Sequence, residues 1–256
     1  MKRVSNLIRN LLFPPHCVCC GELIDVKLTE RVTTPLCPDC RAELEREKNR
    51  ECAVCGLSMK FCRCIPKNME RAQCTALLKL ISYRTNDNNM SIKNFVYSVK
   101  HSNYRVSFDF IAEQMRDMLI PEMRASGLLP SDCIITFLPR SMKNRANDGF
   151  DQSFELARAL SRATGIELAS CFGRKMITNE QKKLNRYERQ LNMNSAYVPL
   201  DVGRKIKDKT VILVDDIVTT GSSMASCARL AYSMGAYAVM GITLGYTEKS
   251  KNNYKK

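Results

Sequence analysis

One stretch of this chain, VILVDDIVTTGSSM from Val211 to Met224, runs from an apolar segment into two acidic residues and then into a turn rich in hydroxyl groups. The aliphatic residues Val211 to Val214 predict a short strand that is buried on both faces, as is typical of parallel sheets. A helix is predicted from Ser222 to Met234. This order of strand, turn and helix favours an α/β fold.

The loop between the predicted strand and helix carries a candidate binding site. Asp215 and Asp216 offer two carboxylates, which repel a phosphate but suit ribose hydroxyls or a bridging divalent cation. Backbone N–H groups at the start of the helix favour a phosphate. The phosphate-binding candidates are Thr219, Thr220, Gly221, Ser222 and Ser223. The alternative is an ordinary strand–turn–helix, in which Asp216 only caps the helix and Gly221 only allows the chain to turn.

The cysteines predict zinc sites rather than a disulfide framework. Nine of the 13 cysteines lie between Cys17 and Cys64, and eight of them form four close pairs. Two thiolates on one tight turn can bind the same tetrahedral zinc, whereas disulfide frameworks seldom repeat so short a spacing. The predicted first site has Cys17, Cys20, Cys37 and Cys40, and the predicted second site has Cys52, Cys55, Cys62 and Cys64.

The second site has the weaker pattern, because Cys62-x-Cys64 is one residue shorter than the other pairs. One zinc ion and two zinc ions therefore both stay open, and an iron–sulfur cluster is a further alternative. His16 is interpreted as a surface residue and Cys19 as a spare thiol, since four cysteines already close a tetrahedral site. Such a site is structural and has no open position for catalysis.

From about residue 71 onward, strand-like and helix-like segments alternate. Strands separated by helices predict a parallel sheet flanked by helices, with binding sites at the carboxyl ends of its strands. The sequence therefore predicts an N-terminal zinc ribbon in residues 1–70 and an α/β domain in residues 71–256. The predicted strands are Ala76–Tyr83, Cys133–Leu138, Cys171–Ile177, Val211–Val214 and Ala236–Leu244, and the predicted helices are Val106–Leu119, Phe154–Thr164 and Ser222–Met234.

The segment VILVDDIVTTGSS resembles the motif with which type I phosphoribosyltransferases bind 5-phosphoribosyl-1-pyrophosphate (PRPP). The resemblance implies that Asp215 and Asp216 hold the ribose hydroxyls and take the catalytic role. It implies that Thr219 to Ser223 wrap the 5-phosphate and that magnesium accompanies PRPP. It also implies a type I phosphoribosyltransferase-like fold for the sheet.

Three further segments resemble the ComF family, whose members combine an N-terminal zinc ribbon with a phosphoribosyltransferase domain. They are Leu138–Ser141, Asp148–Gln152 and Gln181–Asn192. The chain departs from the family pattern at Arg140-Ser141, Asp148 and Asp151, in the region that handles pyrophosphate. The family is associated with natural transformation, which implies competence or DNA-uptake machinery and single-stranded DNA as partners.

Basic side chains in these segments are candidates for the charge that pyrophosphate requires. Arg140, Lys143 and Arg145 follow the predicted strand Cys133–Leu138, and a solvated basic turn is the alternative for them. Lys183 and Arg186 lie in Gln181–Asn192, which is predicted to be a mobile flap over the site. A charged surface helix is the alternative for this flap.

The net charge of +14 indicates a polyanionic partner. Residues 1–70 contain 12 basic and 9 acidic side chains, so most of the excess lies in residues 71–256. No segment has the apolar length of a membrane span, which predicts a cytoplasmic protein. Two functions stay open: an enzyme that transfers phosphoribosyl from PRPP, or a non-catalytic module that binds single-stranded DNA or a partner and retains a PRPP pocket.

Overall fold

The computed structural model describes residues 2–82, 89–140, 149–175 and 196–247. The strands of its main sheet are β1 (Leu77–Ser82), β2 (Cys133–Phe137), β5 (Thr210–Val218) and β6 (Ala238–Tyr246). They lie in the order β1-β6-β5-β2, and every neighbouring pair is parallel. The predicted α/β fold, a parallel sheet flanked by helices, is therefore confirmed.

Strand β5 is longer than the sequence predicted. Its apolar part ends at Val214, but pairing with β6 continues from Asp215↔Thr243 to Val218↔Tyr246. Asp215 and Asp216 therefore lie within the carboxyl-terminal part of the strand, and the expectation that they lie in the following loop was wrong. The physical reason is that ladder hydrogen bonds to β6 hold these residues extended, whatever the polarity of their side chains.

The predicted strand Cys171–Ile177 does not join the main sheet. Its described part is β3 (Phe172–Arg174), which pairs antiparallel with β4 (Tyr197–Pro199) in a separate two-stranded sheet. The edge of the main sheet beside β2 is instead covered by a parallel bridge between Ile135 and Leu168. Backbone groups that β3 would have needed on β2 are thereby already paired.

Seven α-helices lie in the described residues, and six of them, α2 to α7, cover the two faces of the main sheet. The helices are α1 (Lys2–Leu12), α2 (Pro38–Lys48), α3 (Lys67–Arg71), α4 (Met90–His101), α5 (Arg105–Ala125), α6 (Gln152–Thr164) and α7 (Ser222–Ser233). Helices α2, α4, α5 and α6 pack on the face that carries Leu78 and Leu80, while α3 and α7 pack on the face of Leu77. Helix α6 ends at Gly165 as predicted, with φ of 75°.

The N-terminal residues share a hydrophobic cluster with the sheet. Leu36 and Leu44 are almost fully buried in the cluster that contains Leu78 of β1 and Phe95 of α4. The division of the chain at residue 70 stays a prediction about its organisation. Among the residues that the structure describes, no helix is long and apolar enough to cross a membrane.

Candidate functional site

Each cysteine cluster begins with a hairpin-like turn of the same geometry. In the first, the Cys17 N–H donates to Glu22 O and the Gly21 N–H donates to Cys17 O. Gly21 has φ of 79°, a left-handed conformation that a glycine adopts without steric cost. The second cluster repeats this pattern from Cys52 to Leu57, where Gly56 occupies the equivalent position.

The structure brings together the two sets of four thiols that the spacing predicted. Within each set, all Sγ atoms lie within 4.8 Å of one another. The Cys20 and Cys37 sulfurs are 3.7 Å apart, and those of Cys55 and Cys62 are 3.6 Å apart. Tetrahedral zinc with Zn–S bonds of about 2.3 Å requires sulfurs about 3.8 Å apart. Both four-cysteine groups can therefore hold zinc, and the short Cys62-x-Cys64 pair does not prevent it.

Backbone hydrogen bonds prepare one thiol of each cluster to bind a metal as thiolate. Burial disfavours ionisation of Cys17, but backbone hydrogen bonds from Cys37, Cys20 and Cys19 outweigh it and lower the pKa of Cys17 to about 7. A backbone hydrogen bond from Leu57 is the main cause that lowers the pKa of Cys55 to about 7. Both shifts fit a metal site, because only the thiolate ligates.

Neither of the two residues predicted not to be ligands, His16 and Cys19, belongs to a four-thiol group, although the Cys19 thiol forms side-chain hydrogen bonds with Cys17 and Cys40. His16 is exposed, and its Nδ1 lies 2.8 Å from Pro14 O. Cys19 is buried, and desolvation raises the pKa of its thiol to about 12. Neither residue is needed to complete a tetrahedral site.

Asp215 and Asp216 lie where the central parallel strand β5 leaves the core. Asp215 Oδ1 accepts hydrogen bonds from Ser153 Oγ at 2.9 Å and from the Asp216 N–H at 3.0 Å. Desolvation, and next the charge of Asp216, raise the pKa of Asp215 well above its usual range. The Asp216 backbone is fixed by Thr243 Oγ1, which donates to Asp216 O at 2.8 Å. The pair is thus held rigidly at the carboxyl end of the sheet.

The turn after β5 leads into a helix whose first turn has no side-chain cap. Gly221 is the N-cap of α7, with φ of 71°. A Cβ at this position would lie 2.7 Å from Met69 Cγ of α3, so both the backbone conformation and the close packing require glycine. The first N–H groups of α7 therefore lack a capping side chain and remain able to bind an anion.

Asn68 of α3, the helix that follows the second cysteine cluster, holds this turn by hydrogen bonds. Its Nδ2 donates to Thr220 O at 3.0 Å and to Ser222 Oγ at 2.8 Å. Ser222 Oγ in turn lies 2.9 Å from Thr220 Oγ1. Thr219 and Thr220 are exposed, so their hydroxyl groups border solvent. The turn is a preorganised set of hydroxyl groups around the start of α7.

Arg140 follows β2, the neighbour of β5, at the same end of the sheet. Its N–H donates to Asp151 Oδ2 at 3.1 Å, while Asp151 Oδ1 accepts from the Phe154 N–H at 3.3 Å and caps α6. Asp151, at which the chain departs from the ComF pattern, therefore positions the Arg140 backbone. Binding the Arg140 and Phe154 N–H groups requires only hydrogen-bond acceptors, and the carboxylate oxygens of Asp151 supply them.

About half of this chain is similar in sequence to a group of curated relatives. It is 31% identical over 134 residues to the DNA utilization protein YhgH of Escherichia coli K12, and equally to that of Shigella flexneri. Each alignment covers 50% of this chain and 57% of the relative. The resemblance to the ComF family is confirmed. No protein-family model matches the chain.

Among solved structures, a purine phosphoribosyltransferase from Pyrococcus horikoshii is similar at a TM-score of 0.30 and 16% identity. The match covers 53% of this chain and 83% of the other. The chain spans little more than half the length of the DNA utilization proteins that it matches.

The structure also identifies site residues that the ComF motifs did not. Ser153 directly follows the Asp148–Gln152 segment, and Asn68 precedes the sheet altogether. Tyr197 of β4 forms a side-chain hydrogen bond with Ser223, and the Arg174 guanidinium lies 5.5 Å above the Tyr197 ring. Burial is the main cause that raises the pKa of Tyr197. No sequence signal singles out these residues, because their contacts join segments far apart in the chain.

Four predicted cations cannot be placed by the structure. Lys143 and Arg145 lie in residues 141–148, and Lys183 and Arg186 lie in residues 176–195, all outside the described residues. The predicted flap Gln181–Asn192 lies there as well. Of the predicted site residues outside the cysteine clusters, the structure therefore describes Arg140, Asp215, Asp216 and the turn from Thr219 to Ser223.

Proposed function

We propose that this chain binds PRPP at the carboxyl end of β5 and transfers its phosphoribosyl group to an acceptor during the handling of DNA after uptake. One observation carries the proposal: Asp215 and Asp216 lie in the carboxyl-terminal part of the central parallel strand, and a short turn after Val218 leads from this strand to the uncapped start of α7. Ligands of α/β sheets bind at the carboxyl ends of strands, which is the end that these residues occupy.

The two halves of this site suit the two halves of a ribose phosphate. The 5-phosphate would be bound by Thr219 to Ser223 and the first N–H groups of α7, where the helix dipole favours negative charge. The ribose hydroxyls would donate to Asp215 and Asp216. Neutralising these carboxylates is thus expected to remove the sugar contacts while leaving the phosphate cradle in place.

The leaving pyrophosphate needs positive charge, because negative charge grows on it as the anomeric bond breaks. Arg140 is the described candidate, since it follows β2 beside β5. Lys143, Arg145, Lys183 and Arg186 are further candidates from the sequence. Magnesium bound with PRPP would add to this charge and is coordinated by oxygen ligands such as carboxylates and phosphates.

In our proposal both cysteine clusters hold structural zinc. Each cluster offers four thiols at tetrahedral spacing and no fifth ligand is needed. The zinc sites would thus serve folding and the support of the neighbouring sheet, not the transfer reaction. DNA handling belongs to the same proposal, because the relatives are named DNA utilization proteins. A cytoplasmic location and an association with competence machinery are proposed with it, the latter as the resemblance to the ComF family implies.

A second candidate function is a non-catalytic module that binds single-stranded DNA. The net charge of +14 favours it, since phosphate contacts supply most of the affinity for nucleic acids. Against it, the chain has no tryptophan and 7% aromatic residues, a modest supply for base stacking. The two candidates differ in whether PRPP is consumed.

The test is a calorimetric titration of the purified protein with PRPP and magnesium. We expect saturable binding that is lost in Asp215→Asn/Asp216→Asn and kept in Asp201→Asn/Asp208→Asn, which removes two exposed carboxylates away from the site. Binding should also weaken at low pH, because the raised pKa of Asp215 means that this carboxylate becomes protonated at a higher pH than an ordinary aspartate. No binding by the folded wild type would refute the proposed PRPP site.

Binding of a fluorescent single-stranded oligonucleotide separates the two candidate functions. If the phosphate site and the DNA surface are distinct, the Asp215→Asn/Asp216→Asn variant keeps the DNA affinity of the wild type. Release of pyrophosphate in the presence of DNA or nucleobases would favour the enzyme. PRPP binding without any pyrophosphate release would favour the module.

A further inference from the structure

Lys79 is the buried charge that the candidate site does not use. It lies in the middle of β1 and is only 2% exposed. Its Nζ donates a hydrogen bond to Cys64 O and forms a side-chain hydrogen bond with Cys62. A lysine inside the sheet thus directs its ammonium group into the second cysteine cluster.

Burial of an ammonium group requires a compensating partner. Among the described residues, the ion pairs identified in the structure join other basic groups to Asp or Glu and do not include Lys79. The Tyr246 ring lies 5.3 Å from Nζ and offers a cation–π contact. A neutral carbonyl and an aromatic face stabilise a cation, but they carry no opposite charge.

A zinc ion with four thiolates carries a formal charge of 2−, because each deprotonated cysteine contributes one negative charge. We infer that Lys79 is the counter-cation of the second zinc–thiolate cluster, so that the metal and the buried ammonium group stabilise each other. The inference rests on the proposal that this cluster binds zinc. It assigns a partner to both the lysine and the excess charge of the cluster.

The groups that contact the first cluster in the way that Lys79 contacts the second are uncharged. Cys40 Sγ lies 3.9 Å from Ser91 Oγ, and Asn94 Nδ2 donates to Cys19 O at 2.7 Å. Among the hydrogen bonds of the described residues, none joins a lysine or arginine side chain to a thiol of this cluster. The two clusters therefore differ in charge compensation, although their ligands are alike.

Lys79 also connects the second cluster to the candidate pocket, the site proposed for PRPP at Asp215, Asp216 and the turn from Thr219 to Ser223. β1 pairs with β6, and Tyr246 under the ammonium group is the last residue of β6. Tyr246 pairs with Val218, the last residue of the strand that carries Asp215 and Asp216. Loss of the second zinc would leave the Lys79 ammonium group without an opposite charge, next to the carboxyl ends of β5 and β6.

The experiment measures zinc release from the full-length protein against a competing chelator, for the wild type, Lys79→Met and Lys79→Arg. Lys79→Met keeps the length of the side chain and removes its charge. We expect it to raise the dissociation constant of one of the two zinc ions about 10-fold to 100-fold, the range for residues that support metal ligands. Lys60→Met is the matched control, since Lys60 is near the cluster but half-buried.

The midpoint of thermal unfolding, measured with and without chelator, tests whether the charge of Lys79 interacts with the zinc–thiolate cluster. Zinc removal should lower the midpoint of the wild type more than that of Lys79→Met, because only the wild type is left with a buried, uncompensated ammonium group. If Lys79 contributed only to packing, Lys79→Met would lower the thermal midpoint by the same amount with and without zinc. Lys79→Arg, which keeps the charge, should retain zinc better than Lys79→Met.

The outcomes separate failure of the inference from failure of the zinc proposal. Wild-type protein that contains no zinc after anaerobic purification overturns the zinc proposal and the inference with it. Two zinc ions that Lys79→Met releases as the wild type does overturn the inference alone. Equal losses of zinc in Lys79→Met and Lys79→Arg also overturn it, since geometry and not charge would then be responsible.

Discussion

The two cysteine clusters have the same kind of ligands and the same glycine-containing turn, but they are attached to different parts of the fold. The first includes Cys40 of α2 and contacts α4 through two neutral residues, Ser91 and Asn94. The second contacts the buried Lys79 of β1, and its neighbour Arg63 forms an ion pair with Glu122 of α5 at 2.6 Å. Equal ligand spacing therefore does not imply an equal structural role.

The second cluster is also the one that leads into the candidate pocket. Only two residues separate Cys64 from α3, where Asn68 bonds to the turn after β5 and Met69 packs against Gly221. The first cluster includes Cys37 and Cys40 at the start of α2, which packs on β1 and α4 at the other face of the sheet. The comparison predicts that damage to the second cluster reaches the pocket and damage to the first does not.

Loss of one ligand from each cluster tests this comparison with the largest expected effect. Cys62→Ser removes a fully buried ligand of the second cluster, and Cys20→Ser removes an exposed ligand of the first. We expect Cys62→Ser to lower the free energy of unfolding by more than about 4 kcal/mol, as for loss of a structural metal. It should also abolish PRPP binding, because α3 no longer holds the phosphate turn.

Cys20→Ser should release one zinc ion but retain PRPP binding. Metal analysis, chemical denaturation and calorimetry on the same preparations check both variants. Equal loss of PRPP affinity in the two variants would contradict the idea that only the second cluster supports the pocket.

Gly221→Ala tests the contact between α3 and the phosphate turn, with an intermediate effect. The new Cβ would meet Met69 Cγ at 2.7 Å, and the residue would keep a left-handed conformation. We expect a loss of about 2–3 kcal/mol in the free energy of unfolding and a clear loss of PRPP affinity. Urea denaturation and calorimetry measure the two effects.

Gly127→Ala is the matched control for this substitution. Gly127 has φ of 67°, but a Cβ there would meet nothing within 4 Å. It should thus show the conformational penalty alone, about 1 kcal/mol, with PRPP binding unchanged. A Gly221→Ala variant no less stable than Gly127→Ala would show that packing against Met69 is unimportant.

Asn68→Ala has the smallest expected effect and isolates the hydrogen bonds to the turn. The substitution removes the donor to Thr220 O and Ser222 Oγ. We expect about 1 kcal/mol of lost binding free energy for PRPP, a decrease of roughly 5-fold in affinity, with little change in stability. Calorimetric titration measures it.

Asn49→Ala is the matched control for the loss of an asparagine hydrogen bond away from the phosphate turn. Asn49 Nδ2 donates to Glu45 O at 2.8 Å at the end of α2, a bond of similar length outside the pocket. PRPP affinity should not change in this variant. A similar decrease in both variants would indicate a general effect of side-chain truncation and not a role for α3.

Local patterns in the sequence predicted much of the fold. The apolar runs around Ile134 and Ile212 predicted two strands, which the structure places side by side, and Gly165 predicted the end of α6. Helices α1 to α4 were not predicted. In α2, for example, charged residues predominate and only Cys40 and Leu44 are buried, so the sequence shows no clear helical period. β3 was assigned to the wrong sheet, since an apolar run does not reveal which strand it pairs with.

The sequence by itself determined which cysteines form the two four-thiol groups and which acidic pair follows the apolar part of β5, because short-range spacing fixes which thiols share a turn and which residues follow an apolar run. Only the tertiary structure decided that Asp215 lies within β5 and bonds to Ser153, and that Asn68 reaches Thr220. Only the tertiary structure placed Lys79 at the second cluster. These contacts join residues 15 to 152 positions apart, and they form only when strands and helices pack into one core.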